Sequence, residues 1–410
     1  MPLFILALAV MLFRPPDLNF YDLDRIAFVL LIFVMLLRIF LRRDHIRFSR
    51  PVFLPMFALT LLAFAAAISR PYEPQVWSVF AAKWLVPLTM FWLAGYIFQD
   101  NRSQKKLEIF FWVVLAYLSI IAVLFLLNER AFIFPRYILN ESLGIHINRA
   151  RGPFLQAVAN GVAINLLALL ALDSFRRRRL PKWLALSFFI TVPIAILATK
   201  TRAVWLSFAL SVVILMFASN RRTRTVCWLL MASTVAVACI AFSNSDQNES
   251  SSINSRLQAA SPVEFRWALY QIGWKMFWEK PLLGWPAAEI QPQIERQMDE
   301  FHQESFYFHN TFLEVAVAYG MVGLGFYLWI FADLIRLHKL RGRQIGFGDP
   351  QVFDAEFRRL WPLLVLVYGL NACFVVMNYQ FVNSVFFTLA GILAAQNHRL
   401  PGKLRLRGAV

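Results

Sequence analysis

The feature that most constrains this chain is an apolar run, long enough to cross a bilayer, that recurs from one end to the other. Such runs fall at about 2–13, 26–41, 52–69, 77–98, 107–127, 154–173, 183–199, 202–219, 225–242, 309–332, 360–377 and 380–396. A spanning helix needs about 20 mostly apolar residues. Twelve spans are therefore expected, or eleven if 2–13, at about 18 Å, falls short of the hydrocarbon thickness. In hydrocarbon every backbone N–H and C=O must be bonded within the protein, so each span is helical and the fold class is an all-α integral membrane protein with about 12 transmembrane helices. The composition agrees: 59% of residues are hydrophobic and 16% are charged, against about a quarter charged in soluble domains. No polar block is long enough to fold by itself, so residues 1–410 read as a single polytopic membrane domain.

The formal net charge of +17 is carried by short basic clusters between the apolar runs. No polar face collects them, which argues against nucleic acid and makes membrane lipids the partner of this charge. With the amino terminus in the cytoplasm, the inner loops and tail hold 25 Lys and Arg, and the outer loops apart from 243–308 hold nine. That asymmetry satisfies the positive-inside rule and places both termini in the cytoplasm. Arg176 to Arg179, and Arg221, Arg222 and Arg224, read as orientation anchors. Met1 to Phe13 lacks a basic leader and a small-residue cleavage site, so it reads as a retained short helix. Cys227, Cys239 and Cys373 lie in apolar runs. The first two are about 18 Å apart along one helix, too far to bridge, and all three read as small buried hydrophobes.

The long outer loop, 243–308, is the one sizeable extramembrane segment. It begins with Ser243 to Ser255, a polar run with few apolar residues that reads as disordered. From Glu264 to Trp278, Phe265, Leu269, Ile272, Met276 and Phe277 recur at helical spacing with Arg266, Gln271 and Lys275 between them, the pattern of an amphipathic helix lying on the bilayer surface. Pro281 and Gly284 end it in a turn.

Four segments carry a family resemblance. His309 to Leu324, HNTFLEVAVAYGMVGL, pairs His-Asn with an apolar helix and Gly-x-x-Gly-Leu. Arg266 to Trp285 follows an Arg with an amphipathic helix, a Pro and a Gly. Thr199 to Phe208, TKTRAVWLSF, has a Thr-x-x-Arg element opening a span, and Arg151 to Gly161, RGPFLQAVANG, has Arg-Gly-x-Phe followed by Asn. Together they resemble the O-antigen ligase superfamily, which includes the polymerases of O-antigens and exopolysaccharides, over about 150–332. One departure is Gly284, Trp285 and Pro286, where many members carry Gly-x-Gly, and it reduces backbone freedom at that turn.

The resemblance implies a GT-C-like bundle in the bacterial inner membrane that transfers a glycan from undecaprenyl diphosphate to a hydroxyl of lipid A-core or of a growing glycan. Polysaccharide export proteins are possible further partners. The expected topology brings Arg151, Arg202, Arg266 and His309 to one membrane face, the periplasmic one, although they are scattered through the chain. Charge grows on the departing diphosphate as the glycosidic bond breaks, and guanidinium forks stabilise it well in a partly desolvated site. Arg151, Arg202 and Arg266 are the candidate diphosphate ligands, with interfacial snorkelling or an ion pair to Glu264 or Glu289 as the alternative for each. Arg149 is close enough to exchange roles with Arg151. His309 opens a helix, where the positive dipole end favours its neutral form. The resemblance makes it the residue that activates or positions the acceptor hydroxyl. Asn310 reads as a helix cap, and Glu314 as a residue that orients the site or pairs inside the bundle.

No zinc pattern is present, and a metal-independent enzyme without cofactors is expected. Asp17, Asp22 and Asp24 allow a cation-dependent glycosyltransferase as an alternative, although acids before a helix are also favoured by its dipole. A lipid-linked sugar flippase or another transporter is the second alternative. It would place polar groups near the bilayer midplane, where Asn371, Asn378 and Asn383 are the nearest candidates.

Overall fold

A computed structural model describes residues 1–14, 23–42, 50–144, 147–218, 261–297, 307–339 and 352–397, with 224–225, 227–228 and 231–232. Most of the expected span 225–242, the run Ser243 to Ser255, and Asp17, Asp22, Arg221, Arg222 and Cys239 lie outside the described residues. Among those residues the regular structure is helical and no strand occurs. The helices are α1 Pro2–Leu12, α2 Leu23–Arg42, α3 Arg50–Ile68, α4 Pro74–Ile97, α5 Asn101–Leu126, α6 Ala157–Arg176, α7 Lys182–Ala198, α8 Arg202–Ala218, α9 Ser261–Glu279, α10 Ala287–Gln297, α11 Thr311–Arg336, α12 Ala355–Ala372 and α13 Gln380–Asn397.

Among the described residues, five helices are long and apolar enough to cross a membrane: α4, α5, α6, α11 and the segment Pro51–Ile68 of α3. Pro2–Leu12, Lys182–Ala198, Arg202–Phe217 and Gln380–Gln396 are shorter apolar helices. The fold is that of an integral membrane helical protein, and its surface shows why. On α2, Ala27, Phe28, Leu31, Met35 and Ile39 are buried, while Ile26, Val29, Phe33, Leu37 and Phe40 face outward. An apolar outer face of this kind is stable in lipid and an aggregation hazard in water.

The two ends of the bundle differ. At one, Met1 lies in the field of Arg38 and Lys106, and Arg176, Arg177 and Arg179 form a network with Asp173, Glu108 and Asp354. The expected anchor cluster is thus also a latch that joins α6 to α5 and to the start of α12. Arg358, 1% exposed, donates to Leu337 O, Leu393 O and Gln396 Oε1, and so caps the ends of α11 and α13, where carbonyls lack helical partners. We call this the basic end. The opposite, motif end gathers the four motifs. Arg14 donates to Asp24, Gln380 and Ser78 there, tying the segment after α1 to α2, α13 and α4.

Candidate functional site

The motif end is built from loops held by side chains whose purpose is visible in the sequence only as motif letters. In RGPFLQAVANG, Gly152 has φ 57°. A Cβ there would collide with Asn160, whose amide donates to Ala150 O at 2.9 Å. Ala150 N–H in turn donates to Ala198 O at 3.0 Å, docking this loop on the α7–α8 turn. That turn is closed by Thr199 Oγ1 to Ile196 O, Thr201 Oγ1 to Thr199 O and Trp205 Nε1 to Ile196 O. Arg202 leaves it as the first residue of α8, exposed, and the Arg149 to Arg151 segment therefore lies against the Arg202 turn.

The structure does not bring Arg151 to this surface as a diphosphate ligand. Its side chain is 1% exposed, and Nε, Nη1 and Nη2 donate to the carbonyls of Ile138, Asn140 and Leu143. A buried guanidinium that satisfies otherwise unpaired loop carbonyls is a structural brace. Arg149, two residues away, is half-buried.

The second group forms around His309. In α11 the Asn310 side chain accepts from Phe312 N and Leu313 N, an N-cap that stops the helix short of His309. His309 itself has φ 50°. It is half-buried between α9 and the start of α11, with Tyr270 Oη donating to its carbonyl at 3.4 Å. Burial, and then the nearby positive charge of Arg266, push the imidazole pKa down from 6.5 to about 4. The structure thus brings Arg266 and His309 together and leaves the ring neutral. The helix dipole was the expected cause; desolvation is the larger one here.

Thr311 fixes the height of this helix start, since its hydroxyl donates to Val375 O at 2.7 Å and accepts from Met377 N at 3.0 Å. The same 373–379 turn follows α12, whose Asn371 donates to Ser207 Oγ on α8. Through α12, the Arg202 helix and the His309 helix are mounted on one frame. Asn371 and Asn383 serve as interhelical hydrogen-bond groups, Asn383 binding Tyr368, Ala82 O and Met377 O. Asp24 is committed to Arg14 at 2.8 Å and Gln380 at 3.3 Å.

Two features escape sequence reasoning. The first is a break in α11 at Gly320, φ 62° and ψ −160°. In an unbroken helix Met321 N–H would donate to Val317 O. Here Val317 O accepts from Trp285 N at 2.8 Å and Met321 N donates to Pro281 O at 2.7 Å, so the turn after α9 completes the broken span. Gly284, φ 75°, and Gly320 face each other so closely that a Cβ on either would strike the other segment's backbone. Trp285 locks the turn through Nε1 to Met276 O, 2.7 Å, and lies under Lys280, 4.0 Å from the ring centroid. The departure from Gly-x-Gly is thus a fastening. The buried face of α9, Leu269, Met276 and Phe277, packs on Ala316 and Val317 as expected of an amphipathic helix, while Trp267, Trp274 and Trp278 stand on its exposed side. α10, with Ile294 buried against the same cluster, was not foreseen, because Pro292 interrupts its pattern.

The second is Lys83, buried within α4 and 2.5 Å from Glu314 of α11. A lone Lys inside an apolar run was the available signal, since intramembrane charges are costly.

A search of curated proteins finds no match. The family model described as O-Antigen ligase matches residues 185–328, the stretch that contains Arg202, Arg266, His309, Glu314, Gly284 and Gly320. Over this stretch the chain is similar to the O-antigen ligase family, the same family that its motifs resemble.

Proposed function

We propose that this chain is a glycosyltransferase of the bacterial inner membrane that moves a glycan from undecaprenyl diphosphate to an acceptor hydroxyl, lipid A-core in a ligase. The observation that carries the reading is the placement of His309 beside Arg266 at the motif end, inside the segment that matches the O-antigen ligase family. The acceptor oxygen attacks the anomeric carbon, His309 takes its proton, and the glycosidic electron pair leaves with the diphosphate. Arg266 and Arg202 stabilise the charge on that leaving group, with Arg149 in the place first given to Arg151. The motif end faces the periplasm, both termini lie in the cytoplasm, about twelve spans cross the membrane, and the segment 243–308 is the large periplasmic loop. The reaction needs no metal, so activity should survive chelation by EDTA.

The test is the glycan profile of a deletion strain of the native host complemented with wild type or His309→Ala. Long lipid-linked polymer without attached chains in the deletion identifies a ligase, and survival of single repeat units identifies a polymerase. In either case His309→Ala should behave as the deletion. A normal profile with His309→Ala would overturn the chemistry.

A further inference from the structure

The break at Gly320 divides α11 into an outer half-helix, 311–319, that presents His309, and an inner half that belongs to the bundle. The outer half is held at its top by Thr311 on the 373–379 turn and at its base by the turn after α9. Laterally it carries a charge, Glu314, which meets Lys83 of α4.

Lys83 sits at an unusual backbone position. Residues Ala81–Leu85 form a π-helical turn within α4, and such turns often mark functional sites because the extra residue redirects side chains and frees carbonyls. The freed Ala82 O accepts from Asn383. Lys83 is only 5% exposed and Glu314 is 29% exposed, so the carboxylate is partly open while its counter-ion is buried. The ammonium also lies 5.1 Å from the Trp84 ring centroid. Glu314 lies in the first turn of the helix that His309 precedes.

A carboxylate this near a site for a lipid diphosphate would repel the donor if it stood alone. We infer that Lys83 is a positioning residue for glycosyl transfer: its ammonium neutralises Glu314 and clamps the half-helix that carries His309 against α4. The inference rests on the donor being a diphosphate and on His309 acting in the reaction. It adds a requirement that neither of them contains, a buried cation on a different span.

The experiment is a double-mutant cycle in the full-length protein reconstituted in phosphatidylethanolamine and phosphatidylglycerol vesicles, with undecaprenyl-diphosphate-linked repeat unit as donor. Lys83→Met should raise the donor KM about tenfold or more, since an uncompensated carboxylate would oppose an anionic donor, and should leave the acceptor KM within about twofold. Adding Glu314→Gln should restore most of that loss, and Lys83→Arg should retain activity.

A wild-type donor KM in Lys83→Met overturns the inference, as does a double variant no better than Lys83→Met. If Lys83→Met does not fold, the exchange Lys83→Glu with Glu314→Lys decides: recovered transfer supports the clamp, and a folded but inactive exchange refutes it. If wild type transfers no glycan at all, the proposed function fails and the clamp is not what failed.

Discussion

Arginine does two opposite jobs in this protein, and the residue's surroundings decide which. Arg151 and Arg358 are among the largest fully buried side chains, and both spend their guanidinium groups on main-chain carbonyls. Arg151→Ala should therefore act on stability. Losing donors to three carbonyls costs about 3 kcal/mol or more, which a thermal unfolding scan in detergent would register as a marked fall in Tm, whereas Arg202→Ala should leave Tm close to wild type and depress transfer. His309 gives the second prediction at this scale. Its pKa is lowered, so the folded protein keeps the ring neutral down to about 4 while a free imidazole would gain its proton near 6.5. Protonation removes the base, so the acid limb of kcat/KM should lie near 4 and activity should be lost only below it. Arg266→Ala removes a cation that opposes protonation and should shift that limb upward. It should move only part of the way to 6.5, because burial is the larger cause. A pH–rate profile of both enzymes checks the sign.

At the scale of elements, the broken α11 and the turn after α9 form one unit. Gly284 and Gly320 both adopt positive φ and face each other's backbone. Ala at either position would carry about 1–2 kcal/mol of left-handed strain, and its methyl would also drive the two segments apart and release the bonds from Trp285 N and Met321 N. Gly320→Ala should lower Tm and activity together. Gly325, which has open space around its Cβ position, should accept Ala with little change in either. The Gly-x-x-Gly spacing in the motif was legible, but its purpose was not, because the partner of Gly320 lies in a turn that precedes it by 36 positions. α9 was legible from the spacing of Leu269, Met276 and Phe277. Its second face of Trp267, Trp274 and Trp278 was not, since a helix apolar on two sides shows no clean period.

For the whole molecule, the proposed orientation makes a direct prediction. Cys373 is half-buried in the turn at the motif end and Cys227 is fully buried. In a Cys239→Ala background, a membrane-impermeant maleimide should label Cys373 from the periplasmic side of spheroplasts, and labelling only in inverted vesicles would reverse the topology. The all-helical membrane character was set by the sequence itself, because apolar runs of spanning length leave the backbone no other way to bond in lipid. The basic clusters, the amphipathic helix and the candidate cations were equally readable from local pattern. What only the tertiary structure decided is which polar side chains meet. Arg151 turned inward to loop carbonyls, Arg266 came to His309, and Lys83 found Glu314 across two spans. Hydropathy records how far a side chain is from water, and it holds no information about the partner that compensates its charge.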